Sequence, residues 1–168
     1  MGNKQRTVVI GGSSGMGLAS ARKLYSIGHE IVIASHSRDK LERAAQSIGN
    51  VESYVLDITK EEEISQFFSS IGPFDHLVTS AANFVIGPFL HTPLDDVKRF
   101  FDNKFWGQYL AAKYGAPNLR QGGSITFFCG VAAQKPFMHF AAGAAINAGI
   151  EGLTRALALE LAPLRVNA

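Results

Sequence analysis

The sequence is poor in cysteine, in long apolar runs and in net charge, and each shortage narrows the class of protein. Cys129 is the single cysteine. A lone thiol forms no disulfide within the chain, so we expect a reducing, cytoplasmic setting. No apolar run reaches the roughly 18 residues that a membrane-spanning helix needs. The first glycine loop comes too early for a secretory signal peptide to precede it.

The charge is nearly balanced, at +2 for the whole chain. Basic residues form no run longer than two, at Arg22-Lys23 and Lys98-Arg99, so a nucleic-acid partner is not expected. We expect no metal site. A hydrophobic content of 46% with 18% charged residues is typical of a soluble globular protein. The length predicts one domain over residues 1–168.

Short apolar runs alternate with amphipathic stretches along the chain, which predicts an α/β fold. Strands are predicted at 7–11, 30–35, 51–58, 74–82 and 123–130. Helices are predicted at 17–28, 38–49, 59–72, 94–114 and 139–163. This alternation indicates a Rossmann-type, doubly wound parallel sheet flanked by helices. A sixth strand begins at 165–168, and the chain stops inside it, so we expect a truncated fold.

The third predicted helix carries a start signal of its own. Thr59 is predicted as its N-cap, and Glu62 follows three residues later, as in a capping box.

A glycine-rich loop, "VVIGGSSGMGLA", joins the first strand to the first helix. Gly11 permits a tight turn, and Gly15 and Gly17 let a pyrophosphate approach the helix N-terminus, where free N–H groups favour anions. The alternative is a loop that needs these glycines only for its own conformation. The loop predicts a dinucleotide site that includes Gly11, Ser13, Ser14, Gly15, Met16 and Gly17.

These residues resemble the short-chain dehydrogenase/reductase family, whose loop reads T-G-x-x-x-G-x-G; Ile10 replaces the threonine. "DHLVTSAA" (75–82) stands in place of the family's D-x-L-V-N-N-A-G, and "GLTRALALELAPLRVNA" (152–168) is similar to its run into the sixth strand. The resemblance implies a nicotinamide cofactor and hydride transfer. It also implies cofactor contacts at Asp57, Ile58, Ala81 and Ala82, with Asp57 near the adenine.

No acidic residue follows the second strand, where one would repel a 2′-phosphate. The segment there offers Ser35, His36, Ser37 and Arg38. Because an arginine fork matches phosphate oxygens, we predict NADP(H) rather than NAD(H). The alternative is that Arg38 is a solvated residue in the first turn of the next helix.

The resemblance also locates four catalytic positions, and this chain departs from the family at each. The tyrosine position falls on Gly143 and the lysine position on Asn147. The serine position falls on Gly130, and the asparagine position on Lys104. No tyrosine follows Tyr114, so shifting the alignment by one residue restores none of them.

Three side chains are candidate replacements: Lys104, His139 and Asn147. A histidine donates a proton near neutral pH, whereas an exposed loop position is the alternative for His139. Lys104 offers an ammonium near the nicotinamide ribose, or else is a solvated residue. Asn147 offers an amide to the ribose, or else packs among small residues. Cys129 fits a buried small hydrophobe.

Two functions follow from this pattern. The first is an NADP(H)-dependent oxidoreductase acting on a small carbonyl or alcohol substrate. The alternative is a catalytically impaired NADP(H)-binding protein that serves as a sensor or dimer partner. The aromatic helix 94–114 and the small-residue helix 140–160 predict a homodimer or homotetramer, with packing inside the domain as the alternative.

Overall fold

The computed structural model describes residues 4–168 and forms one parallel sheet in the order β3-β2-β1-β4-β5-β6. Residues 1–3, which the predicted domain includes, lie outside the described residues. The strands are β1 (Arg6–Ile10), β2 (Glu30–Ser35), β3 (Glu52–Val55), β4 (Phe74–Thr79), β5 (Leu119–Phe127) and β6 (Arg165–Asn167). Every strand pairing is parallel. The predicted α/β, doubly wound fold is confirmed.

Helices connect the strands, and they begin and end close to the predicted positions. They are α1 (Gly15–Ser26), α2 (Arg38–Ile48), α3 (Glu61–Ile71), α4 (Leu94–Phe100), α5 (Gly107–Gly115) and α6 (Ala141–Glu160). The predicted single helix at 94–114 is interrupted by a π-helical turn, Phe101–Trp106. None of the helices within residues 4–168 has the length and apolar character to cross a membrane.

The central strands are buried on both faces, as their apolar residues require, whereas the edge strand β3 is mostly exposed. Val8 and Ile10 of β1 belong to the larger core, together with Phe68, Phe100 and Ile146 from the helices. The residue between them, Val9, points to the opposite face and a smaller core, which contains Ala21 and Leu41. Successive β1 side chains thus pack under helices on alternate sides.

The predicted capping box is wrong. Helix α3 begins at Glu61, and Lys60 is its N-cap without a side-chain hydrogen bond. Thr59 instead donates from its backbone N–H and its hydroxyl to Asp57 Oδ1, at 2.9 and 2.7 Å. The Asp57 N–H donates to Glu63 Oε2 at 3.0 Å. A turn built on Asp57 therefore replaces the cap, because an aspartate readily binds the backbone two residues on.

The strand order reverses direction between β1 and β4. Strand β1 pairs with β2 on one side and with β4 on the other, so the chain winds outward from this point in both directions. Ligands of open parallel sheets bind in the crevice outside the carboxyl ends of the strands at such a point. A ligand is therefore expected to contact the residues that follow β1, β2, β4 and β5.

Candidate functional site

A cavity of about 600 Å³ lies outside the carboxyl ends of the strands. Its volume falls within the range of small-molecule and cofactor sites, about 300–1,000 Å³. Its lining includes all of the predicted cofactor residues except Ser37 and Arg38, and it adds several residues that the sequence analysis did not select: Lys40, Ser80, Asn83, Phe84, Asn103 and Phe128.

The glycine loop lies at the centre of this cavity. A Cβ on Gly11, whose φ is +82°, would lie 2.6 Å from the Ala81 nitrogen. A Cβ on Gly17 would collide with Ser80 Oγ and the Gly11 carbonyl oxygen. The loop thus packs against the end of β4, and the same glycines keep backbone exposed to the cavity.

Helix α1 leaves its N-terminus open to an anion. Ser14 precedes the helix without a side-chain capping bond, and the first turn contains no acidic residue. Gly15, with a φ of +53°, has no atom within 4 Å of the place where a Cβ would lie. The unpaired N–H groups and the helix dipole therefore fit a pyrophosphate, as the dinucleotide prediction requires.

At the end of β2 the side chains differ in part from the prediction. Ser13 Oγ donates to Ser35 Oγ at 2.8 Å, which ties the glycine loop to this strand. His36 and Lys40 line the cavity, whereas the predicted phosphate ligand Arg38 is exposed at the start of α2, outside the lining. Lys40 was missed because it is one of several exposed charged residues on this helix, and the sequence does not show which of them borders the cavity.

Asp57 and Ile58 form the neighbouring wall, after β3. Burial raises the pKa of the Asp57 carboxyl, but the two hydrogen bonds from Thr59, with the charges of Lys60 and His36, outweigh it and lower the pKa overall. The carboxylate is therefore charged at neutral pH. Since both Thr59 bonds go to Oδ1, Oδ2 is left to accept a further donor.

Ala81 and Ala82, which follow β4, also line the cavity, with Asn83 and Phe84 beyond them. The Asn83 backbone N–H donates to Asn103 Oδ1 at 3.1 Å, which joins this loop to the π-helical turn. Phe84 is 63% exposed. An aromatic ring that is open to solvent at a cavity edge is available to a ligand.

Lys104 enters the cavity wall from the π-helical turn and is 5% exposed. Its Nζ donates to Asn147 Oδ1 on α6 at 2.8 Å and lies 5.5 Å from the centre of the Phe84 ring. Burial lowers the pKa of the Lys104 ammonium, and only the nearby Cys129 opposes the shift. The structure thus brings two of the three predicted catalytic residues together and excludes the solvated alternative for Lys104.

Gln108, which the sequence analysis missed, holds this part of the wall. Its Oε1 accepts from Thr79 Oγ1 at 2.7 Å and from the Phe128 N–H at 3.2 Å. Its Nε2 donates to the Lys104 carbonyl at 3.0 Å and to the Phe128 carbonyl at 3.3 Å. One buried amide therefore joins the ends of β4 and β5 to the turn that carries Lys104.

The positions that lack their expected side chains are occupied by neighbours. A Cβ on Gly143 would collide with the ring of Phe140. A Cβ on Gly130 would lie 2.9 Å from Asn147 Nδ2. Neither position therefore accepts a larger side chain unless its neighbour moves.

His139 lies apart from Lys104, on the wall of a second cavity of about 370 Å³. Its φ of 67° is unusual for a residue with a side chain, and its carbonyl accepts the Gly87 N–H at 2.9 Å. The third predicted catalytic residue is therefore not part of the nucleotide-sized cavity.

Cys129 lines the first cavity and is half-buried, not fully buried as predicted. Its Sγ donates to the Asn147 carbonyl at 3.3 Å. Burial raises the pKa of this thiol, so it is protonated at neutral pH. Within residues 4–168 we find no group of three or more His, Cys, Asp or Glu side chains that could hold a metal ion.

Known proteins are similar to this chain along nearly its whole length. Residues 5–168 match the family model described as short chain dehydrogenase. Carbonyl reductase family member 4 of Danio rerio is 32% identical over 169 residues, covering 95% of this chain and 71% of that protein. L-xylulose reductase of Mesocricetus auratus is 28% identical, over 98% of this chain and 69% of its own length.

Solved structures agree with this assignment. A small-chain dehydrogenase in complex with NADPH is 40% identical, with a TM-score of 0.84 over 99% of this chain and 69% of that one. A short chain dehydrogenase/reductase family protein superposes with a TM-score of 0.93 at 28% identity, over 97% of this chain and 72% of that one. With the glycine loop and the reversed strand order, these matches show that the chain belongs to the short-chain dehydrogenase/reductase family of oxidoreductases.

Proposed function

We propose that the protein is an NADP(H)-dependent oxidoreductase that acts on a small carbonyl or alcohol substrate. One observation carries the proposal: a single cavity joins an open helix N-terminus, two basic side chains and a buried ammonium. The first two features fit a phosphorylated dinucleotide, and the third fits a substrate oxygen that gains negative charge.

The cofactor residues divide along the cavity. Gly11, Ser13, Ser14, Gly15, Met16 and Gly17 surround the place of the pyrophosphate. Asp57 and Ile58 fit the adenine half, and Ala81 and Ala82 fit the other half, beyond the switch point. When bound, the nicotinamide supplies or accepts the hydride, and the protein supplies orientation and electrostatics.

The preference for NADP(H) rests on the charges at the end of β2. His36 and Lys40 line the cavity there, and Ser35 adds a hydroxyl. The nearest cavity-lining carboxylate, Asp57, belongs to the next strand and accepts its bonds from Thr59. A 2′-phosphate would thus meet basic groups. The NADPH-bound structure of a 40% identical protein agrees with this preference.

At the other end of the cavity, we propose that Lys104, held by Asn147, stabilises the negative charge on the substrate oxygen and donates a proton to it. His139, the third candidate, contributes in this proposal only if a substrate extends into the second cavity.

A second candidate function is that of a nucleotide-binding sensor or dimer partner without catalysis. The ring of Phe140 favours it, because that ring fills the space beside Gly143 and leaves no side chain there to donate a proton. Both candidates use the same nucleotide site.

The proposal also covers the oligomeric state and the cellular location. Trp106 and Tyr109 expose 48% and 39% of their surface on the helices 94–115, which supports a homodimer or homotetramer through this face and α6. The lone, half-buried thiol fits a cytoplasmic location.

Titration with NADPH and NADH, followed by turnover on aldehydes, ketones and quinones, tests the proposal. Micromolar binding of NADPH with oxidation of the nucleotide by any carbonyl class supports the oxidoreductase. Binding without turnover refutes it and leaves the sensor. Failure to bind either nucleotide refutes both.

A further inference from the structure

Lys104 lies at one end of the cavity, far from the residues that fit the adenosine phosphates. His36 and Lys40 follow β2, whereas Lys104 lies beside Phe128 and Cys129, which follow β5. A dinucleotide that crosses the switch point between β1 and β4 places its reactive half on the β4–β5 side. The ammonium therefore belongs to the part of the cavity in which the substrate is reduced.

The ammonium is held in place and has donors to spare. An ammonium has three N–H donors, and Lys104 gives one to Asn147 Oδ1. Asn147 is itself buried, at 1% exposed, so this bond holds the Lys104 ammonium in one position. Lys104 lines the cavity, so its two remaining N–H donors are available to a ligand. Burial lowers the pKa of this ammonium, which makes it a better acid.

The other groups at this end are poor proton donors. Gly143 and Gly130 carry no side chain, and the Cys129 thiol has a raised pKa. Asn103 Oδ1 already accepts the Asn83 N–H. Among the described residues that line this end, Lys104 is the one charged donor.

An aromatic wall lies next to this donor. Phe84 is exposed and lies 5.5 Å from Lys104 Nζ, and its ring centre is 6.5 Å from that of Phe140. Phe84 is the ring that lines the cavity, and it is backed by the buried Phe140, which stacks on Phe137 with ring centres 4.8 Å apart and an angle of 7°. A flat, conjugated substrate stacks face to face on such a ring, whereas an aliphatic ketone has no π-system to stack.

We propose that this site reduces quinones and related conjugated carbonyl compounds, with the substrate ring against Phe84 and the Lys104 ammonium at the oxygen that becomes anionic. The inference rests on the proposed oxidoreductase and names its substrate class. A hydride delivered to one quinone oxygen would form its O–H bond and leave the other oxygen as a phenolate, which takes a proton from Lys104, and solvent reprotonates the amine. One quinone, one NADPH and one proton thus become one hydroquinone and one NADP⁺.

The acidities match this substrate class. A phenol and a lysine have similar reference pKa values, about 10 and 10.4, so a lysine with a lowered pKa gives its proton readily to a phenolate. An aliphatic alkoxide is roughly as basic as hydroxide, whose conjugate acid has a pKa near 15.7. Forming an alkoxide needs a stronger donor at the carbonyl oxygen, and the glycines at 143 and 130 do not supply one.

The first test is turnover with a matched lysine control. We expect the wild-type protein to reduce a benzoquinone or naphthoquinone at least about 100-fold faster, in kcat/KM, than an aliphatic ketone. Lys104→Met lowers quinone kcat by about 100-fold, as removal of one oxyanion donor does, with NADPH binding retained. Lys98→Met, at an exposed lysine on α4, leaves kcat unchanged. Equal quinone rates in Lys104→Met and wild type overturn the inference while the oxidoreductase stands.

The second test needs no turnover. 4-Nitrophenol absorbs differently as phenol and phenolate, so its titration in the presence of NADP⁺ reports the charge of the group beside it. We expect the wild-type site to lower the apparent pKa of the bound probe and Lys104→Met to abolish the shift. The exchanged pair Lys104→Asn/Asn147→Lys returns an ammonium to the same contact and restores the shift. An unshifted or unbound probe in wild type overturns the inference.

Discussion

The ring of Phe140 occupies the space that a side chain at residue 143 would need: a Cβ built on Gly143 collides with three carbons of that ring. Both residues are buried, and Phe140 also packs against Phe84, Phe100 and Phe137. The aromatic cluster and the glycine therefore depend on each other, and the small first half of α6 is fitted to its neighbours.

Gly143→Ala therefore destabilises the protein. Alanine gains up to about 1 kcal/mol of helix propensity, but forcing a methyl group into a packed core costs about 1–3 kcal/mol. We expect a net loss of about 1–2 kcal/mol in the free energy of unfolding, measured with urea.

Gly152→Ala on the same helix, where a Cβ meets no atom within 4 Å, is the matched control. It gains about 0.5–1 kcal/mol. Equal changes in the two variants would contradict the packing argument.

Much of the fold was predictable because the central strands β1 and β2 are mostly apolar and glycines follow several helices. Strand β2 runs from Glu30 to Ser35, as predicted. The π-helical turn was not predictable, since 101–106 contain neither proline nor glycine and its extra residue is visible only in the backbone. That turn decides which residues of the aromatic helix point inward, and it buries Lys104 while it exposes Trp106.

The residues of the candidate site likewise include some that the sequence predicts and others that it does not. Loop residues such as Gly11 and Gly17 were predictable because their spacing between a strand and a helix is visible in the sequence, although they pack against Ala81 and Ser80. Gln108 was not, because its role depends on contacts between elements distant in the chain. The side-chain bond between Lys104 and Asn147 spans 43 positions, and it turns two separately selected residues into one pair.

Lys40, and not Arg38, is expected to decide the nucleotide preference. Both side chains are exposed, but Lys40 lines the cavity at the end of β2 and Arg38 does not. A hydrogen bond to a charged group contributes about 1.5–3 kcal/mol, so Lys40→Glu weakens NADPH binding by about tenfold or more and leaves NADH nearly unchanged. Arg38→Glu, the matched control, has a smaller effect on both. Fluorescence titration of the two nucleotides measures the ratio, and a larger loss for Arg38→Glu would reverse the assignment.

Gln108→Leu is expected to be one of the most damaging single changes outside the apolar core. It leaves the buried Thr79 hydroxyl without its acceptor and removes the bonds of the Gln108 amide to the Lys104 carbonyl and to the Phe128 N–H, which keeps its bond to the Thr79 carbonyl at 2.9 Å. An unsatisfied buried group costs about 1–3 kcal/mol, so we expect the free energy of unfolding to fall by about that amount. Gln134→Leu, at an exposed glutamine that contacts Glu151, changes it by less than about 0.5 kcal/mol. Similar unfolding curves for the two variants would show that the Gln108 network does not stabilise the wall.

Stability is expected to fall in mild acid because of His76 on β4. Burial lowers the pKa of its imidazole, the charges of His29 and Arg165 lower it further, and Asp75 partly opposes them. The unfolded chain, with a histidine pKa near 6.5, therefore binds a proton at a higher pH than the folded chain does. By linkage the contribution of His76 is complete above about pH 6.5 and is lost as the pH falls toward the folded-state pKa. His76→Gln removes this part of the slope in urea unfolding between pH 7.5 and 5.5, whereas His91→Gln, at an exposed histidine, keeps it. An unchanged slope in His76→Gln would assign the acid sensitivity to other groups.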